Sequence, residues 1–230
     1  MAITPRVLRR TTAVAAVLAG IIFIAVQIGH PHLDVTSVGT TEWTIRNTAK
    51  MAFAALALAG ITGMYLRQVK ETGVLGFIAY VLLSTGYLLI LSTAFVAGYV
   101  LPSLAHTAPA YVNGVLTAAA GGTPASDIGL IEYALAAEGI TYLAGGLLFG
   151  VALYRARVLV RWGSALLAAG AVFTVALSVL PESLYRFLAY PNAIALIALG
   201  YSLWRVADHE SRTTGSAGAT QTSSRPVGAS

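Results

Sequence analysis

No cysteine occurs in the 230 residues, which excludes disulfides, thiolate nucleophiles and Cys-ligated metal or iron–sulfur sites. Charge is scarce as well: Asp, Glu, Lys and Arg make up 10% of the chain, against roughly 25% in soluble domains. Several chemistries lack their parts. There is no Gly-rich phosphate loop, no Gly-x-Ser-x-Gly, no His-Glu-x-x-His and no aspartate-rich prenyl-diphosphate motif. A nucleotide-driven machine would therefore need another subunit. None of the four histidines falls inside an apolar run, which disfavours a bis-histidine haem, and no cofactor is expected.

What the chain has in abundance is apolar surface, 57% of residues with a mean hydropathy of +0.77, gathered into uninterrupted runs. That places it among polytopic membrane proteins. In hydrocarbon every backbone polar group must be satisfied within a helix or a closed barrel, and the runs lack the period-2 alternation of barrel strands. An all-α membrane protein follows, a single six-helix bundle over residues 1–210 with spans near 12–29, 45–66, 74–101, 129–154, 158–180 and 187–204. The first run follows three arginines as a signal peptide would, yet "IAVQIGHPH" offers no small-x-small cleavage site, so it reads as a retained anchor.

Lys and Arg set the orientation. Eleven lie on the N-terminal side of the spans and only Arg46, Lys50 and Arg186 on the other, so both termini are expected in the cytoplasm and the protein in the plasma (inner) membrane. The net charge of +5 belongs to this asymmetry. No basic stripe with interleaved aromatics appears, and nucleic acid is not an expected partner. Residues 102–128 form the one long connection, suited to a short helix at the outer surface or a lid. Residues 211–230, rich in Ser, Thr, Gly and Ala, read as a disordered cytoplasmic tail.

The ionisable groups are not spread evenly. "IGHPHLDVTSVGTTEWTIRNTAK", residues 28–50, holds two histidines, two acids and two bases. On the outer side, or in the outer half of spans, lie His30, His32, His106, Asp34, Glu42, Asp127, Glu132, Glu138 and Glu182. Lys50 sits about 12 Å down the second span and Glu138 about 14 Å down the fourth, at 1.5 Å per residue. A charge at such depth costs about 2.5–3.5 kcal/mol on insertion scales, so it turns inward and finds a partner. Lys50 and Glu138 are expected to approach each other, as a binding or proton-relay pair or as an ion pair that fixes helix register.

Glu42, Arg46 and Lys50 share one face at i,i+4 spacing, and Glu138 shares its face with Tyr142 and Gly145. Glu132 is six residues from Glu138, about 120° around the helix, so the two carboxylates form no simple dyad. Pro191 lacks an N–H and frees a carbonyl beside Tyr190 and Asn192, which can line a cavity. The expected ligand set is thus Lys50, Glu138, Arg46, Glu132, Glu42, Tyr142 and Asn192. Two functional classes follow. One is a protein that binds or transports a small molecule, lipid or ion through a pocket open to the outside; the other is a membrane enzyme acting on a lipid or isoprenoid, with Glu132 or Glu138 as acid/base. An accessory subunit with purely structural charges is a third reading, and a membrane partner subunit would then be expected.

His30, His32 and His106 have residue types that suit zinc, but His-Pro-His in a loop matches no metal signature, so solvated histidines are the simpler expectation. Ser84, Thr85, Ser92 and Thr93 are expected to bond back to their own helix. Finally, "EWTIRNTAKMAFAALALAG" aligned on "ESLYRFLAYPNAIALIALG" pairs Glu42 with Glu182, Arg46 with Arg186 and Gly60 with Gly200. This is a faint sign that the second and sixth spans are related, set against coincidence among Ala- and Leu-rich helices.

Overall fold

Thr4 caps the first helix, its Oγ1 accepting the Val7 N–H at 3.3 Å, and Pro5 occupies the first helical turn, where a missing N–H costs nothing. The computed structural model describes residues 4–28, 33–175 and 189–208. Helix α1 (Pro5–Gln27) is followed by the single turn α2 (Val35–Val38), capped by Asp34, and by α3 (Thr41–Arg67), whose cap Thr40 accepts the Trp43 N–H at 3.2 Å. Then come α4 (Val69–Phe95), a π-helical turn (Val96–Val100), α5 (Leu101–Leu104), α6 (Pro109–Ala119), α7 (Ile131–Ala156) and α8 (Arg161–Val175). Residues 189–208 form a further helix, α9.

Four helical stretches are long and apolar enough to cross a membrane: Pro5–Gln27, Thr41–Arg67, Val69–Leu104 and Ile131–Ala156. The described residues contain helices and no strands, the architecture of a helical membrane protein. The expected third span starts where the structure breaks, at Gly73, whose φ of 58° and ψ of −149° suit only glycine. It runs longer than expected, because the π turn continues α4 directly into α5. The tail at 211–230, His30, His32, Glu182 and Arg186 lie outside the described residues.

The long helices pack in chain order as a ring. α1 lies on α3, α3 on α4, α4 on α7 and α7 on α8. Small residues set these approaches, as packing between lipid-facing helices requires. A Cβ on Gly86 of α4 would stand 2.9 Å from the Tyr142 backbone of α7, and one on Gly150 of α7 would stand 2.6 Å from the Ala168 backbone of α8. α9 closes the ring: Gly163 of α8 faces Ala198 and Leu199, and Gly20 of α1 lies against Ala193 and Ile197.

Gly60 of α3 and Gly200 of α9, the glycines matched in the faint repeat, meet the same residue of α1, Ala16. The two helices thus flank α1 with a shared contact. Their faces are not equivalent throughout, since Ala55 is exposed where its counterpart Ala195 is buried.

Two apolar clusters result. The larger one fills the ring with Ala16, Phe53, Ile61, Leu83, Tyr87, Phe149, Leu196 and their neighbours. The smaller one, with Val38, Trp43, Leu101, Val112, Leu116 and Ile128, seals the end at which α3 begins. α6 belongs to that second cluster, so the long connection does carry a short helix, set over the end of the bundle.

Candidate functional site

The π turn fixes how α3 meets α4. Widening the helix by one residue releases backbone carbonyls, and α3 takes two of them: Trp43 Nε1 donates to Ala97 O at 2.7 Å and Thr44 Oγ1 to Gly98 O at 3.4 Å. Gly98 lets Asn47 come close, a Cβ there standing 2.9 Å from the Asn47 Cβ. One turn further along α3 is Lys50. By helix geometry it lies about 14 Å below Thr41, and Glu138 about 10 Å below Ile131, a comparable depth from the same end.

Lys50 on α3 and Glu138 on α7 lie at comparable depth, yet among the described residues no direct ion pair joins them. The carboxylate instead takes a hydrogen bond from α4: Thr93 Oγ1 donates to Glu138 Oε2 at 2.6 Å. That hydroxyl also reaches Ile90 O at 3.2 Å, so the expected back-bond is present beside a contact across helices. Thr85 and Ser92 bond back to Val81 O and Leu88 O as expected, whereas the Ser84 hydroxyl is buried with no hydrogen-bond partner among the described residues.

Below this level lies an aromatic floor. Phe23 of α1 stacks on Phe53 of α3 with centroids 4.4 Å apart, Phe53 meets Tyr87 of α4 edge-on at 5.8 Å, and Tyr87 meets Tyr142 of α7 edge-on at 5.7 Å. The Tyr142 hydroxyl accepts a hydrogen bond from Asn192 Nδ2 of α9 at 3.2 Å, across the bundle. Asn192 is buried, and its Oδ1 has no hydrogen-bond partner among the described residues. Five helices therefore meet in one layer: Lys50 and Phe53, Thr93 and Tyr87, Glu138 and Tyr142, Asn192, and Phe23. Tyr142 is marked by its spacing from Glu138, whereas Thr93, Phe23, Phe53 and Tyr87 have no distinguishing spacing in the sequence, since Ser, Thr and aromatic residues recur throughout apolar helices.

The other expected residues do not join the layer. Arg46 binds Glu42, its neighbour one turn back, at 2.7 Å, and its Nη1 donates to Val26 O and Ile28 O at 3.0 and 2.9 Å. It thereby satisfies carbonyls that the end of α1 leaves open. Glu132 is exposed in the first turn of α7, where the helix dipole favours a carboxylate. His106 is exposed after α5, and among the described residues no group of three His, Asp or Glu side chains is placed to hold a metal.

At the opposite end, where α1 begins and α3 ends, Arg9 of α1 and Arg67 of α3 line a cavity of about 380 Å³. Beside it Arg10 pairs with Asp208 of α9 and lies over the Trp204 ring at 5.0 Å. The Arg10 guanidinium holds the Asp208 carboxyl below the usual carboxylate range. Asp34, outside the long helices, is lowered likewise by hydrogen bonds from the Thr36 hydroxyl and the Ser37 N–H.

This arrangement defines a class, a helical integral membrane protein with ionisable groups inside its bundle. Comparison with protein-family models, with curated proteins and with solved structures finds no match.

Proposed function

We propose that the protein is a six-span membrane protein whose outer half binds a small polar molecule, lipid or ion for recognition or transport, with Lys50 and Glu138 as the charged pair. The carrying observation is that these opposite charges lie at comparable depth in the bundle without a direct ion pair among the described residues, Glu138 being held by Thr93 and the Lys50 ammonium having no hydrogen bond among the described residues. A pair meant only to fix register would close on itself, because direct contact best offsets desolvation at this depth. An open pair keeps donors and an acceptor for a guest. The buried Oδ1 of Asn192, without a hydrogen-bond partner among the described residues, adds a second acceptor in the same layer. The asymmetry of Lys and Arg supports a reading with the termini in the cytoplasm and the layer toward the outside of the plasma membrane, the bilayer being the partner this reading requires.

Native mass spectrometry of the protein in mild detergent tests this reading. A bound small molecule or lipid on wild type that disappears in Glu138→Gln and in Lys50→Met, and persists in Glu132→Gln, is the expected result. A wild type whose adducts are the same in all three variants, the first two being merely less stable, would assign the pair to structure alone.

A further inference from the structure

The stretch "RARVLVR", residues 155–161, joins α7 to α8 and carries three arginines and no acid. Its backbone is fixed from several sides. Leu159 is buried in the larger apolar cluster, the Val160 N–H donates to Ser202 Oγ of α9 at 3.1 Å, and the Val160 carbonyl accepts from the Ser164 N–H and hydroxyl, both at 3.2 Å. Arg155, Arg157 and Arg161 are exposed on this anchored turn, and so is Arg205, one helical turn beyond Ser202 on α9. Arg10 and Arg46 are taken up by Asp208 and Glu42, whereas among the described residues no hydrogen bond or ion pair engages the side chains of Arg155, Arg157 or Arg205. The Arg161 guanidinium lies over the Tyr154 ring, 4.2 Å from its centroid, a contact made through its flat face that leaves the N–H edge open.

Arg157 adds a second kind of observation. Its φ of 59° and ψ of 20° are left-handed, and it is the one residue other than glycine with a positive φ among the described residues. It ends α7 at a position where glycine is the ordinary choice, because a Cβ in this conformation costs stability. A long basic side chain kept at a strained position, with no bond to the rest of the described structure, marks a use outside the fold.

We infer that the α7–α8 turn is a binding site for the headgroup of an anionic phospholipid. Guanidinium groups recognise phosphate oxygens through paired, charge-assisted hydrogen bonds. Several cations with no acid among them favour a headgroup of net negative charge over a zwitterionic one, whose own cation they repel. A soluble phosphate would match the arginines as well, and the neighbouring aromatics favour the lipid. Tyr154 in the last turn of α7 and Trp162 in the first turn of α8 are both exposed, and amphipathic rings at the ends of membrane helices sit at headgroup depth, which sets the arginines beside the phosphates. Such a site needs only that the bundle span a bilayer, and is independent of whether the outer layer holds a guest.

The test uses the full-length protein in mild detergent, with phosphatidylglycerol, phosphatidylcholine or inorganic phosphate added separately at equal concentration, and retention read by native mass spectrometry. Wild type retains phosphatidylglycerol over phosphatidylcholine. The Arg155→Gln/Arg157→Gln double variant lowers that retention by about tenfold or more, two cations beside the headgroup being removed. Arg157→Gly lowers it by about threefold or more while melting no lower than wild type, since glycine suits the left-handed turn; a merely structural arginine would not separate the two readouts. Arg6→Gln removes an exposed cation of α1 from the same end of the bundle but outside the turn, and retention is unchanged. Equal loss in Arg6→Gln would reduce the effect to general surface charge and overturn the site. Equal retention of the two lipids by wild type, or undiminished retention in both the double variant and Arg157→Gly, would do the same. Inorganic phosphate held as strongly as phosphatidylglycerol would overturn the lipid in favour of a soluble anion. Glu138→Gln retains phosphatidylglycerol, so failure of the outer-layer reading and failure of this one are told apart.

Discussion

Thr93 on α4 donates a 2.6 Å hydrogen bond to Glu138 on α7, so among the described residues a neutral hydroxyl and not the Lys50 ammonium is the direct partner of this carboxylate. Thr93→Val keeps the side-chain shape and removes the donor. A loss of about 1–2 kcal/mol is expected, the range for a hydrogen bond to a charged group moderated by what interhelical bonds deliver in membranes. Thr93→Ser should restore most of it. In a Glu138→Gln background the same Thr93→Val step should cost measurably less, because the two residues share one interaction. Thermal unfolding of the four combinations in detergent checks this, and additive effects would sever the proposed coupling.

Gly86 sits against the Tyr142 backbone, which cannot yield as a flexible side-chain tip would. Gly86→Val should push α4 from α7 and lower stability by about 1–3 kcal/mol. Gly139, three residues before Tyr142, has nothing within 4 Å of where a Cβ would stand. Gly139→Ala should instead stabilise by about 0.5–1 kcal/mol, since alanine is the better helix former. Melting temperatures moving in opposite directions would confirm that the α4–α7 approach, and not glycine content, sets the packing.

Arg46 and Glu42 form one ion pair, but the two residues are unequal. The Glu42 side chain is 57% exposed and the Arg46 side chain 18%, and only Arg46 reaches the Val26 and Ile28 carbonyls. Glu42→Gln should cost no more than about 0.5 kcal/mol, as for an exposed i,i+4 pair. Arg46→Gln should cost about 1–3 kcal/mol through the lost carbonyl contacts. Comparable losses in urea or thermal unfolding would contradict a capping role for Arg46.

Asp208 is held below the usual carboxylate range by Arg10. A carboxyl whose folded value is depressed contributes stability above its unfolded value and loses it as pH falls through the folded one. The stability difference between wild type and Asp208→Asn should therefore be constant through neutral pH and shrink only in strongly acidic solution. A difference that already fades between pH 7 and about pH 5 would show that another group controls the tie.

Much of this architecture is readable in the sequence, because the bilayer makes secondary structure a local matter. A run of apolar residues must satisfy its own backbone, so the helices of α1, α3, α4 and α7 follow from composition, and caps such as Thr4, Asp34 and Thr40 are set by neighbours three residues away. The inward face shared by Glu138 and Tyr142 follows from helical period alone. Partner choice is not local. Whether Glu138 meets Lys50 or Thr93 depends on how far each helix is rotated and how closely Gly86 and Gly98 bring the backbones together, and those are properties of the packed ring. The π turn at 96–100, the aromatic floor from Phe23 to Tyr142, and the meeting of Arg9 with Arg67 arise the same way, from residues far apart in the chain whose distances only tertiary packing decides.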